Sequence, residues 1–289
     1  MHPTLARLLT SAPIITDGAW GTQLQALGLA PGDCPDHWNL THPDEVRKVA
    51  QRYVDAGSQV ILTNTFGANR IMLAGHGLAD KVREINAAGV RISKEAAGSK
   101  AMVFASMGPT GKMLMSGDVT EEDLGTAFTE QAAALAAAGA DALVVETMAD
   151  VEEARIAVHA AHATGLPVIA SMVFDSGKDK DRTMMGTTPE VVAEELTAAG
   201  ADVIGANCGL GIEGYIPIAK RLRAATSLPV WIKANAGLPE MVDGKVTYRT
   251  TPEEFATKAA ELREAGIAFV GGCCGTSPSF VAALTRTLR

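Results

Sequence analysis

The chain has 289 residues, with 33 acidic against 25 basic side chains and a formal net charge of −8. That length buries a substantial core, while the interspersed negative balance lacks the basic footprint that nucleic acid binding requires. No apolar run reaches the roughly 18 residues of a membrane span, and nothing after Met1 reads as a secretory leader. Four cysteines are too few for a disulfide scaffold, so a reduced, cytoplasmic protein is expected.

Along the chain one phrase recurs: small residues, commonly with a glycine, then a short β-rich apolar run. The first run, APIITDG, has no helix before it. DAGSQVILTNT, AAGSKAMVFASMG, AAGADALVVET, ATGLPVIASMVF, AAGADVIGANCG, TSLPVWIKANAG and EAGIAFVGGCCG follow in order. Each glycine ahead of a run sits where a helix C-cap belongs, and each run has the length of a buried parallel strand. Amphipathic helices fill the gaps. Thr188-Pro189, Thr251-Pro252 and Ser277-Pro278 read as an N-cap with proline at the first helical position. Thr251 with Glu254, and Asp150 with Glu153, read as capping boxes. TEQAAALAAAG is strongly helical by propensity. Eight strand–helix units of about 36 residues predict an α/β fold, a single (β/α)8 TIM barrel over residues 1–289. The open doubly wound sheet is set aside, because no G-x-G-x-x-G follows the first strand.

Barrel chemistry gathers at the C-terminal ends of the strands. In order those ends read Asp17-Gly18, Asn64-Thr65, Ser106-Met107-Gly108, Glu146-Thr147, Phe174-Asp175, Asn207-Cys208, Asn235 and Cys273-Cys274. Three cysteines therefore share one rim, on strands that lie two apart in a closed barrel. Three thiolates with a vacant fourth position suit zinc in a catalytic arrangement. Adjacent Cys273 and Cys274 point to opposite faces of a regular strand, so both reach one ion only where the strand has broken, as Gly271, Gly272 and Gly275 permit. Simple burial of the thiols and a strained vicinal disulfide are the competing readings. Cys34 reads as a spare thiol. His2, His37, His42, His76, His159 and His162 show no paired metal spacing.

DGAWGTQL, LTNTFGANR, VVET, GANCG and GGCCGT, in that order and spacing, resemble the homocysteine S-methyltransferases. That family includes the homocysteine-binding module of cobalamin-dependent methionine synthase and betaine–homocysteine methyltransferase, and the resemblance covers essentially the whole chain. It implies zinc held by Cys208, Cys273 and Cys274, with the sulfur of homocysteine in the open position. Coordination would keep that sulfur a thiolate, which attacks an activated methyl group to give methionine. The resemblance also assigns Asp17 and Glu146 to the substrate ammonium, with backbone groups at Gly18 and Ala19. A turn-forming role for Asp17 and a capping or surface role for Glu146 are the plain alternatives. Asn235 reads as an exchangeable zinc ligand, a hydrogen bonder behind the site or a turn asparagine. Asn64 and Thr65 are candidates for the pocket floor.

Two methyl donors are in balance: a small onium such as betaine, or methylcobalamin carried by a separate corrinoid protein, with S-methylmethionine third. An onium wants aromatic faces, and Trp38 is a candidate face with core packing as its alternative. Gly67 and Thr147 stand where the betaine enzymes commonly carry tyrosine, and NTFGANR leans towards the methionine synthase module. The charged stretch FDSGKDKDRTMMGTT reads as a lid or a solvated loop. Two other classes remain as alternatives. One is a phosphate-binding barrel lyase or isomerase using the GGCCGTSP backbone; the other is a non-catalytic zinc-binding subunit. A monomer or simple homo-oligomer is expected.

Overall fold

The computed structural model describes residues 1–242 and 245–289. Each recurring apolar run forms a strand: β1 (Ile14–Ile15), β2 (Val60–Ile61), β3 (Met102–Met107), β4 (Ala142–Met148), β5 (Val168–Met172), β6 (Val203–Gly211) and β7 (Val230–Asn235). A small antiparallel hairpin not evident in the sequence, β8 (Glu240–Val242) with β9 (Lys245–Thr247), comes next, before β10 (Phe269–Gly272). All strands but the hairpin pair in parallel, in the order β1-β10-β7-β6-β5-β4-β3-β2. The two ends of this 8-stranded sheet meet at a parallel bridge between Thr16 and Val60. There Gln59 N–H donates to the Ile15 carbonyl at 2.8 Å, and the Gln59 Oε1 accepts from Ile15 N–H at 3.0 Å. The predicted TIM barrel is the fold.

Two-residue periodicity sorts each strand between an outer face under the helices and an inner face lining the barrel. Ile14, Val60, Phe104, Val144, Ile169, Val203, Trp231 and Phe269 make a separate interior cluster, plugged by Leu5 from the N-terminal helix Pro3–Leu8. Phe104, Trp231 and Phe269 form its aromatic floor, with Trp231 and Phe269 centroids 5.2 Å apart. Burying each such side chain contributes about 3 kcal/mol. Gly205 is required opposite the indole: a Cβ there would lie 2.5 Å from the Trp231 carbonyl oxygen. Two residues further along β3, β4, β5 and β7 the interior turns polar, at Ser106, Glu146, Ser171 and Lys233, all buried. The barrel thus has a dry base and a polar upper layer beneath its mouth.

The helix starts follow the sequence, with two corrections. Thr251 and Glu254 form the expected capping box, and Thr188 caps Val191 N–H. Asp150 caps Glu152 N–H at 3.0 Å but forms no box with Glu153. Glu153 is buried and instead accepts from Thr110 N–H and Oγ1 at 2.7 and 2.6 Å, because it lies on the helix face turned towards the loop after β3. Ser277 makes no side-chain cap and pairs with the Ser279 hydroxyl. No helix among the described residues is long and apolar enough to cross a membrane.

Candidate metal and substrate site

Cys208 lies in β6, and Cys273 and Cys274 follow β10, with β7 between the two strands. Their three sulfurs all lie within 4.8 Å of one another, with Cys208 and Cys274 at 3.8 Å. The break expected at the cysteine pair is present. β10 ends at Gly272, and a turn closes where Thr276 N–H donates to the Cys273 carbonyl at 3.1 Å. Gly275 is the left-handed residue of that turn, at φ 79°, and a Cβ there would strike the Tyr248 ring. Gly272 has a different job: a side chain on it would collide with Thr276. Backbone cost falls instead on Cys208, a non-glycine residue at φ 64° where β6 loses register with β7.

Hydrogen bonding among the three sulfurs, acting in both directions, and then burial leave the thiols raised. Cys208 is pushed up to about 11, and Cys273 and Cys274 to about 12. Three such thiols converging on one point fit a soft divalent ion, which replaces their protons. Asn235, at the end of β7 between the two cysteine strands, has a buried Oδ1 with no hydrogen-bond partner among the described residues. That orphan acceptor fits a site built to receive something more.

Asn207, which sequence reasoning passed over in favour of its neighbour, organises the layer below. Its Oδ1 accepts from Thr147 N–H at 2.9 Å and Ser171 Oγ at 2.7 Å. Its Nδ2 donates to Thr147 Oγ1 at 2.7 Å and faces Cys273 Sγ at 3.9 Å. Thr147 is the second residue with an unusual backbone here, at φ 61°, so the amide stabilises the turn that follows Glu146. Glu146 itself is buried and accepts from Ser106 Oγ at 2.5 Å. Burial raises its carboxyl above the usual range, against the opposing pull of Lys233.

Asp17 is placed differently. It is fully buried, with Lys233 Nζ 2.5 Å from Oδ1. Its Oδ2 accepts from Leu62 N–H and Trp20 Nε1 at 2.7 and 2.8 Å. Lys233 was legible as a charged residue inside the apolar run VWIKAN, an exception that marks a paired interior charge. Gly18 follows where a side chain would meet Thr276 Oγ1 and Tyr53 Oη, both 2.8 Å from the Cβ position. Ala19 N–H donates to Thr276 Oγ1 at 3.2 Å and its carbonyl accepts from Tyr53 Oη at 2.7 Å.

The remaining candidates lie outside this cluster of contacts. Asn64 bonds the Pro35 carbonyl and Asn39, and Thr65 bonds the Ser106 carbonyl, so both stitch loops together. Trp38 is buried in the outer core and stacks on His42 at 4.3 Å. Cys34 sits 4.0 Å from Asp36 and is no part of the sulfur cluster. The loop after β5 is held by a bridge between Ser176 and Arg182 and by Asp181 against Arg221.

Comparison with known proteins agrees with this arrangement. The family model for homocysteine S-methyltransferase matches residues 14–288. The chain is 32% identical over 296 residues to methionine synthase of Mycobacterium tuberculosis and 31% identical to that of Mycobacterium leprae, in each case over 96% of its own length. It spans only about a quarter of those relatives, 25% and 24%. Among solved structures, the metallated form of the homocysteine methyltransferase MmuM from Escherichia coli superposes with a TM-score of 0.82 at 24% identity, covering 98% of this chain and 99% of that one. The latter likeness concerns the fold. Sequence, barrel and sulfur cluster together place the chain in the homocysteine S-methyltransferase family.

Proposed function

We propose that the protein converts homocysteine to methionine, using zinc held by Cys208, Cys273 and Cys274. The observation that carries this reading is the convergence of three sulfurs within 4.8 Å at the barrel mouth, above a buried carboxylate on β4. Zinc, when bound, supplies the positive charge that keeps an incoming thiol ionised near neutral pH. The chain's own residues do the rest. Glu146 receives the substrate ammonium. Gly18 N–H and the Asn235 side-chain N–H meet the substrate carboxylate, since Ala19 N–H is already donated to Thr276. Asn207 holds Cys273 and the turn after Glu146 in fixed relation, so the nucleophilic sulfur and the ammonium anchor are positioned together.

Methylcobalamin carried on another protein is the donor this geometry favours. Phe66, Met115, Met184, Leu238 and Met241, on the segments that follow β2, β3, β5 and β7 at the mouth, are all exposed. Adaptable apolar side chains gathered on one rim suit contact with a macromolecule. Trp38, the candidate face for betaine, is occupied with core packing. The test is to load the protein with zinc and follow methionine formation from homocysteine, with methylcobalamin in one series and betaine in another. Zinc at about one equivalent with turnover in the first series supports the reading. Turnover with betaine alone reverses the donor assignment. Bound zinc with no methionine in either series makes the barrel a non-catalytic zinc-binding subunit, and absence of zinc reopens a phosphate-binding barrel enzyme.

A further inference from the structure

Lys233 is an unusual occupant of a barrel strand. Trp231 and Ile232 before it and Ala234 after it are fully buried apolar residues, and the lysine side chain itself is 3% exposed. Burying an unpaired ammonium is strongly unfavourable. This one meets Asp17 at 2.5 Å, and Glu146 is the next carboxylate acting on it. Asp17 has both oxygens filled by the protein's own donors: Lys233 on one, Leu62 N–H and Trp20 Nε1 on the other. Glu146 retains 7% exposure, and among the described residues only its Oε1 has a donor, Ser106. Two carboxylates that look equivalent in sequence are therefore unequal in the fold, and the lysine makes them so.

We propose that Lys233 determines acceptor specificity: by neutralising Asp17 it reduces the ammonium pole of the pocket to one carboxylate, Glu146, and so limits how strongly an α-amino thiol is preferred over the same thiol acid without its amino group. The inference rests on the acceptor reading above, in which a thiol amino acid enters the mouth. With Glu146 the open one of these two carboxylates, omitting the ammonium forfeits one charged hydrogen bond, roughly ten- to hundred-fold in affinity. With Asp17 also unpaired, the same omission would leave two like charges facing each other in a buried site, and the preference would steepen.

The experiment is calorimetric titration of the zinc-loaded protein with homocysteine and with 4-mercaptobutyrate, which lacks only the amino group. Wild type, Lys233→Met and Asp17→Asn are compared. In the wild type, homocysteine is expected to bind about ten- to hundred-fold more tightly; a preference of about a thousand-fold or more overturns the proposal without recourse to any variant. Lys233→Met should raise the ratio by about tenfold or more, and Asp17→Asn should lower it by a similar factor. Both variants break the same ion pair, so a purely structural role predicts shifts of the same sign. Ratios that stay put, or move together, sink the proposal. Should Lys233→Met fail to fold, the Asp17→Asn ratio decides by the same criterion. Wild-type protein that binds neither thiol removes the acceptor reading itself, whereas both binding with an unmoved ratio removes only the role of Lys233.

Discussion

Replacing Asn207 by alanine should loosen the metal site and the fold together. The amide is fully buried, so water does not substitute for it. Its loss leaves Thr147 N–H and the Ser171 hydroxyl without their acceptor and Thr147 Oγ1 without its donor. A buried donor left unpaired costs about 1–3 kcal/mol. The Ser171 hydroxyl can rotate to find another partner, while Thr147 N–H is fixed by its backbone at φ 61°. The expected loss is therefore about 3 kcal/mol, or about 5 °C in melting temperature for a chain of this size. Urea unfolding is the assay, read as a lower midpoint at unchanged slope. Zinc affinity, read by chelator competition, should weaken in parallel, because Cys273 loses its neighbouring Nδ2. A destabilisation below about 1 kcal/mol, with zinc held as tightly as before, would refute the view that this amide holds the site together.

Three further outcomes are expected. Cys208→Ala should abolish stoichiometric zinc and methionine formation together; a variant retaining both metal and rate removes Cys208 from the ligand set. Gly275→Ala should cost about 1–3 kcal/mol from its left-handed backbone alone, and more because the new methyl strikes Tyr248; thermal melts that superimpose on wild type would show that the turn relaxes freely. Asp36 is raised to about 7, chiefly by burial. A carboxyl lifted above its unfolded value of about 4 binds its proton better in the native state, so it lowers stability as pH rises from about 4 to about 7. Asp36→Asn should remove that component, worth about 1.4 kcal/mol per unit of pKa difference, and flatten the urea midpoint between about pH 4 and pH 7. Parallel profiles for the two proteins would count against a buried ionisable Asp36.

The barrel was legible because its units repeat. An apolar run announces a strand in each, and Thr188, Thr251 and Ser277 announce the helices that follow three of the runs. The cysteines were legible for the same reason, since strand order alone puts Cys208 two strands from Cys273 and Cys274. What escaped was pairing across strands. Nothing local distinguishes Asn207 from any turn asparagine, because its partners Thr147 and Ser171 stand 60 and 36 residues away. Asp17 read as an open carboxylate until Lys233, 216 residues later, was seen against it. Glu153 looked like a capping residue by spacing, and a distant Thr110 claimed it instead. The hairpin β8–β9 lies in a stretch with few apolar residues, where periodicity says little.

Cys208 carries a consequence for anyone who modifies this protein. A side chain at φ 64° is tolerated only at a cost of order 1 kcal/mol, and glycine at that position would remove it. The metal-free protein is thus expected to become more stable when one of its proposed zinc ligands is discarded. Screens that reward heat resistance alone would select the disabled variant, and improvement of this barrel has to be judged with the metal in place.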